Sequence, residues 1–256
     1  MALYDQFASI YQRGPYIRFS QDLAESVIPD YLGELGIEPT RILDIACGEG
    51  TFAVAMAKLG YDMTGIDQSP PMIDLARSRA LSEGVDTAFK VEDMRWMPFK
   101  SEFDLVTCFF DSLNYLLTVS DLHQAFVSAY QALRPGGIYI FDMNTVYGLA
   151  VDWMRQQTYI HNETHDFIEL HRQYFDYENL IATMSVTVFK KQGETWQRFD
   201  EDHQERGYPI ADIHFLLEKT GFQILETYGS LKKRSELQTS SPRVWITAKK
   251  PIELEP

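Results

Sequence analysis

Between residues 41 and 143, short apolar runs alternate with segments whose apolar residues recur every three or four positions. The first pattern marks strands buried on both faces, and the second marks amphipathic helices. Strands are expected at Arg41–Ala46, Tyr61–Ile66, Asp86–Val91, Phe103–Phe109 and Ile138–Met143. Helices are expected from about Thr51 to Leu59, from Pro70-Pro71 to about Ser82, and over Asp121–Leu133, which closes on Arg134-Pro135-Gly136-Gly137. An earlier stretch, 19–35, also reads as helical, with Pro29 as a break or kink. Strand–helix alternation of this kind predicts an α/β fold, a doubly wound and mostly parallel sheet covered on both faces.

After about residue 155 the period changes to two, with aromatic and β-branched residues on alternate positions. Turn signals at Glu178-Asn179 and Gln192-Gly193 divide this region into an antiparallel meander of about three strands. Helical spacing returns over Ile210–Thr220, ending at Gly221, and two strands follow at Phe222–Tyr228 and Arg243–Ala248. The expected organisation is therefore one domain over 1–256, with a helical N-terminal segment at 1–38 and an antiparallel insertion at 158–208. A small sheet is marginal in water by itself, so the insertion should rest on the core or on a second subunit; a homodimer is compatible with this.

The chemistry concentrates where strands end. Asp44-Ile45-Ala46-Cys47-Gly48-Glu49-Gly50 follows the first strand, and its glycines permit a tight turn and close backbone approach to a ligand. Asp67 ends the second strand, where a carboxylate can accept hydrogen bonds from vicinal ribose hydroxyls. Asp93 follows the third strand and could accept from an adenine amino group. All three lie at carboxyl ends of neighbouring parallel strands, the ligand crevice of a doubly wound sheet. A nicotinamide dinucleotide is the competing ligand. Against it, Ala53 stands where a third glycine would be expected, and Asp44 would repel a pyrophosphate while suiting an ammonium group.

Composition narrows the partners. The 256 residues carry a formal net charge of −14, which repels phosphate backbones and argues against a nucleic-acid substrate. Only two cysteines occur, Cys47 and Cys108, so no disulfide framework is expected. No basic-then-apolar leader opens the chain and no apolar run approaches membrane-spanning length; a soluble, cytoplasmic protein without membrane partners is expected. His161, His165 and His171 cluster along the chain, but they fall on strands at spacings that should not converge, so no metal is expected.

The series DIACGEGTFA, TGIDQSPPMIDLAR, VEDMRWMPF, FDLV and LRPGGIYIFD resembles the class I S-adenosylmethionine-dependent methyltransferases over roughly residues 40–145. The resemblance implies a Rossmann-like, seven-stranded sheet whose last strand is antiparallel, with S-adenosylmethionine as cofactor. It places Asp44, Ala46, Gly48 and Gly50 at the methionine end, Asp67 on the ribose, Gln68 beside the adenosine, and Asp93 with Met94 at the adenine. Phe109 and its neighbours Phe110 and Asp111 would lie near the methionine moiety. The opening YDQFASIYQRGPY, the run DSLNYL and a meander ending in HQERGY are similar to the small-molecule branch, including glycine N-methyltransferase-like proteins and amino-sugar N,N-dimethyltransferases. In that branch the N-terminal aromatic segment covers the cofactor, which makes Tyr4, Tyr11 and Tyr16 lid candidates.

The implied activity is methyl transfer to nitrogen or oxygen of a small molecule. In-line displacement needs alignment and exclusion of water, plus a base if the acceptor carries a proton. Tyr11, Asp111, Tyr115, Asn144 and His203 are the candidates for orienting the acceptor or taking its proton, and Tyr208 could approach from the insertion. No Asn/Asp-Pro-Pro-Tyr motif follows the fourth strand, a second argument against DNA bases as acceptors. A cofactor-binding regulator without activity remains the alternative from a different class.

Overall fold

The computed structural model describes residues 16–252. Its centre is an eight-stranded sheet built from β1 (Arg41–Ile45), β2 (Asp62–Asp67), β3 (Ala88–Val91), β4 (Phe103–Cys108), β5 (Leu133–Asn144), β10 (Gln223–Ser230), β11 (Ser235–Glu236) and β12 (Arg243–Lys249), in the order β11-β10-β12-β5-β4-β1-β2-β3. Strands β1 to β5 run parallel, and β12 is antiparallel to both β5 and β10. The two-residue β11 is the one addition to the seven strands expected. Strand order reverses between β1 and β4, so the crevice lies outside their carboxyl ends.

Helices cover both faces. One face carries α5 (Val119–Ala132) and α6 (Ile210–Thr220), which bury Leu122, Phe126, Ile213 and Leu217 against Tyr139 and Phe141 of β5. The other carries α3 (Thr51–Lys58) and α4 (Pro70–Glu83), with the N-terminal helix. That helix runs without interruption as α1 (Tyr16–Asp22), a π-helical turn over Leu23–Val27, and α2 (Ile28–Leu35). Of the break or kink expected at Pro29 the break does not occur, and the irregularity is the π-helical turn just before it. Pro29 stands in the first turn of α2, and the widened turn before it accommodates the missing N–H. Leu23, Val27, Ile28, Tyr31 and Leu32 are buried, and Tyr31 shares a hydrogen bond with Thr247 of β12 at 2.8 Å. These residues pack the helix on the core, and Phe19 meets Phe110 edge-on with ring centroids 5.0 Å apart. Tyr4 and Tyr11 lie outside the described residues.

The inserted sheet has four strands, not three: β6 (Thr158–Thr164), β7 (Phe167–Asp176), β8 (Ile181–Gln192) and β9 (Thr195–Arg206), paired antiparallel in chain order. The first hairpin turns at His165-Asp166, a pair without the glycine or asparagine that marks the other turns. Asn114, in the loop after β4, fastens the insertion to the core: its Nδ2 donates to the carbonyls of Asn144 (3.0 Å) and Arg206 (2.8 Å). Tyr208 Oη donates to the carbonyls of Leu116 and Thr118, which accounts for its burial by a structural role. No helix among the described residues is long and apolar enough to cross a membrane.

Candidate functional site

Two adjoining cavities open beyond the carboxyl ends of the parallel strands, and the second of them reaches the inserted sheet. The first, of about 340 Å³, is lined by Ala46, Gly48, Asp67, Gln68, Asp93 and Met94 among others. Gly48 has φ +54° and its missing Cβ would point into open space, so the backbone there forms a cradle that a side chain would fill. Asp67 is fixed by two backbone donors, Gly48 N to Oδ2 (3.0 Å) and Ser69 N to Oδ1 (2.8 Å), which leave lone pairs on both oxygens. Burial raises its pKa above the ordinary value, and the two N–H bonds oppose that shift. Asp93 is gripped by Arg95, whose Nη2 lies 2.6 Å from Oδ2, and this hydrogen bonding holds its carboxyl below the usual range. Arg95 also reaches Asp121 at 3.0 Å, so this end of the cavity is an ion-paired rim that the glycine and aspartate pattern did not disclose.

Three expected cofactor residues stand back from this cavity. Gly50 caps α3 with φ +82°, and a Cβ there would come within 2.9 Å of Ala76 Cβ; its glycine serves the contact between α3 and α4. Asp44 is buried on β1, where Thr107 Oγ1 donates to it at 2.9 Å. Phe109 packs edge-on to Phe52 inside the core, and Phe110 takes its place in the cavity wall. The exchange has a backbone cause. Phe110 and Asp111 both have positive φ (63° and 53°), which ends the strand alternation and turns the second phenylalanine outward. Ala46 shares that conformation (φ 55°) at the end of β1. Such strained residues gather at ligand sites when their surroundings fix them. Here the buried Asp142 does so, accepting from Phe110 N (2.8 Å) and Asp111 N (3.2 Å).

The second cavity, of about 470 Å³, lies between this turn and the inserted sheet. It shares Phe110 and Tyr115 with the first. Asp111, Tyr115, Asn144 and His203, expected on separate grounds, all line it. Asn144 Nδ2 donates to Asp111 Oδ2 and Glu205 Oε2, both at 2.8 Å. Arg243 closes the cluster, pairing with Asp111 (3.0 Å) and with Asp142. Burial, helped by the neighbouring Asp111, pushes the Glu205 carboxyl well above its usual range, while the Asn144 amide opposes that shift. Across the cavity, Tyr115 Oη lies 3.2 Å from His203 Nδ1. Burial lowers the His203 pKa to about 4, leaving a neutral ring whose nitrogen can accept the phenol proton.

The histidines require a correction. His161 and His171 do converge: their rings stack with centroids 4.3 Å apart and planes 6° apart, and Glu169 Oε1 lies 2.6 Å from His171 Nε2. The β6–β7 register shifts between Ile160 and Asn162, and this bulge brings His161 over β7. His165 lies in the exposed turn. Both cysteines have thiols pushed well above their ordinary pKa by burial, so neither is an activated nucleophile.

Residues 42–137 match the family model described as a methyltransferase domain. The Bacillus subtilis protein YqeM, which carries a methyltransferase name, is 30% identical over 253 residues, with 97% of each chain covered. The structure of an S-adenosylmethionine-dependent methyltransferase from Clostridium acetobutylicum superposes with a TM-score of 0.84 at 25% identity, covering 98% of this chain and 100% of that one. The structure of CalS10, an amino pentose methyltransferase from Micromonospora echinaspora with S-adenosylmethionine bound, has the same fold, with a TM-score of 0.66 at 17% identity and coverage of 98% and 99%.

Proposed function

The chain belongs to the class I S-adenosylmethionine-dependent methyltransferases, and from that membership we propose that it methylates nitrogen or oxygen of a small molecule held in the second cavity. One observation carries the reading: the two cavities meet at Phe110 and Tyr115. A cofactor site and an acceptor site must share a boundary for an in-line displacement. The cofactor, S-adenosylmethionine, supplies an electrophilic methyl group on a sulfonium when bound. The residues of the first cavity fit it: the Gly48 cradle, the two-donor seat of Asp67, and apolar walls from Ile66, Met72, Met94 and Leu117 for a flat base.

Within this scheme Asp67 holds the ribose hydroxyls, while Gln68, Asp93 and Met94 surround the adenine. Tyr115 and Asn144 orient the acceptor, and Phe110 excludes water from the boundary. Asp111 takes the acceptor proton, with Glu205 linked to it through Asn144 and His203 holding the Tyr115 phenol. A cavity with walls this acidic, in a chain of net charge −14, disfavours nucleic acid.

The decisive experiment is calorimetric titration with S-adenosylmethionine and S-adenosylhomocysteine, followed by radiolabelled methyl transfer to a panel of amines and hydroxylated metabolites. Binding with no transfer to any acceptor would favour the alternative, a cofactor-binding regulator. Asp67→Ala should weaken S-adenosylhomocysteine binding by roughly 10- to 150-fold, the equivalent of about 1.5–3 kcal/mol for bonds to a charged group. Unchanged affinity would remove Asp67 from the site. Tyr115→Phe should lower kcat/KM about 2- to 12-fold through loss of one hydrogen bond, with cofactor affinity unaffected. A change confined to cofactor affinity would place Tyr115 in the first cavity alone.

A further inference from the structure

We propose that His161, Glu169 and His171 bind one divalent transition-metal ion in the wall of the second cavity formed by the inserted sheet. Among the described residues these three alone bring ligand atoms together, each within 4.8 Å of the others. Two imidazoles and one carboxylate are the protein donors of many zinc and non-haem iron sites that keep open coordination positions. Without a thiolate, the set favours a first-row ion such as Zn²⁺ or Co²⁺ over softer ones.

Four features of the local structure prepare these donors. Glu169 and His171 stand two apart on β7, so their side chains share a face by the strand period. Both are 1% exposed, and a carboxylate there gains from a cation more than a solvated one would. His171 Nδ1 lies 3.2 Å from Tyr159 Oη, the kind of outer partner that fixes the ring of a metal-binding histidine. His161 is the third donor and comes from the bulge, a device that re-aims side chains beside functional sites.

Tetrahedral donors about 2.0–2.1 Å from an ion stand ~3.4 Å apart, so the 2.6 Å Glu169–His171 hydrogen bond must open and the His161 ring must turn out of its parallel stack for the ring nitrogens to converge on one ion. His161 is half-buried on the edge strand β6, where that movement meets little resistance. His161 and His171 both line the second cavity. Under the preceding reading, an acceptor with a ligating oxygen or nitrogen would meet the ion there, but the site itself does not depend on that reading.

The test uses the full chain without a polyhistidine tag, treated with chelator and then titrated with Zn²⁺ by calorimetry and with Co²⁺ by visible absorption. The expected result is about one equivalent bound, with ligand-field bands of a nitrogen- and oxygen-ligated Co²⁺ site. His161→Ala and Glu169→Gln should each weaken binding at least ~10-fold. Because His161 is half-exposed, the His161→Ala chain should keep its thermal unfolding midpoint in chelator and its S-adenosylhomocysteine affinity. Failure to bind either metal stoichiometrically would overturn the proposal, as would binding unchanged in both variants. Cofactor affinity, measured on the same samples, reports separately on the methyltransferase reading.

Discussion

Replacing Arg243 by methionine should lower the unfolding free energy by about 3 kcal/mol, the lower end of the range for breaking a buried ion pair. The lower end applies because the Arg243 side chain is 25% exposed, against 9% for Asp111 and 0% for Asp142. Removing the guanidinium leaves two facing carboxylates, Asp111 and Asp142, with no cation between them. Asp142 already has its pKa raised by burial, with Arg243 the main opposing influence. Without Arg243 the Asp142 carboxyl should titrate still higher in the folded chain than in the unfolded one. Folding then takes up protons as pH falls through that interval, so the variant's deficit should shrink near pH 5 and grow toward pH 8. Urea unfolding at those two pH values measures it. Adding Asp142→Asn to Arg243→Met should recover part of the loss, since it removes one of the stranded charges. A deficit under 1 kcal/mol, with no dependence on pH, would show that the cluster is not held by this pairing. The variant should also lose methyl transfer, because Asp142 fixes the strained Phe110-Asp111 turn between the two cavities.

That cluster also shows where the sequence stopped being legible. Strands β1 to β5 announce themselves because burial on both faces makes them continuous apolar runs. The glycines and acids at their carboxyl ends are local patterns, readable within ten residues. Asp111, Asp142, Glu205 and Arg243 come from four separated segments, and no local rule relates them before the chain is folded. One clue existed in Asp142, a carboxylate inside the otherwise apolar strand IYIFDM, which requires a partner if buried. The resemblance places Phe109, Phe110 and Asp111 together near the methionine moiety, and which of the two phenylalanines faces the cavity depends on the left-handed pair Phe110-Asp111, which composition does not reveal. The same blindness applies to the bulge at His161. Strand spacing alone separates His161 from His171, whereas a one-residue register shift unites them. The first hairpin, β6–β7, is not legible because His165-Asp166 lacks the residues that turn chemistry favours.

Asp44→Asn should stabilise the cofactor-free protein by about 4 kcal/mol above pH 7, an upper bound set by a pKa raised from 3.8 to about 7. Burial is the main cause of that shift, with the Thr107 hydroxyl opposing it and the charge of Asp67 adding to it. The sign follows from linkage. Well below its unfolded value of 3.8 the acid is protonated in both states and contributes nothing. Between about 4 and 7 the folded chain keeps a proton that the unfolded chain has lost, so wild-type stability falls as pH rises. Above 7 the full penalty persists. Asparagine keeps the size and the acceptor facing Thr107 without the charge, so the two proteins should converge below the unfolded value of 3.8 and diverge by pH 8. A carboxylate kept at such a cost needs an offsetting use, and a cationic methionine moiety above the β1 loop would supply one. Binding S-adenosylhomocysteine should then pull the Asp44 pKa down and release a proton near pH 6. Calorimetry in two buffers of different ionisation enthalpy counts that proton. Proton release that persisted in Asp44→Asn would assign the linkage to another group, and a wild-type chain whose stability did not fall between pH 4 and 7 would show Asp44 to be charged in its buried seat.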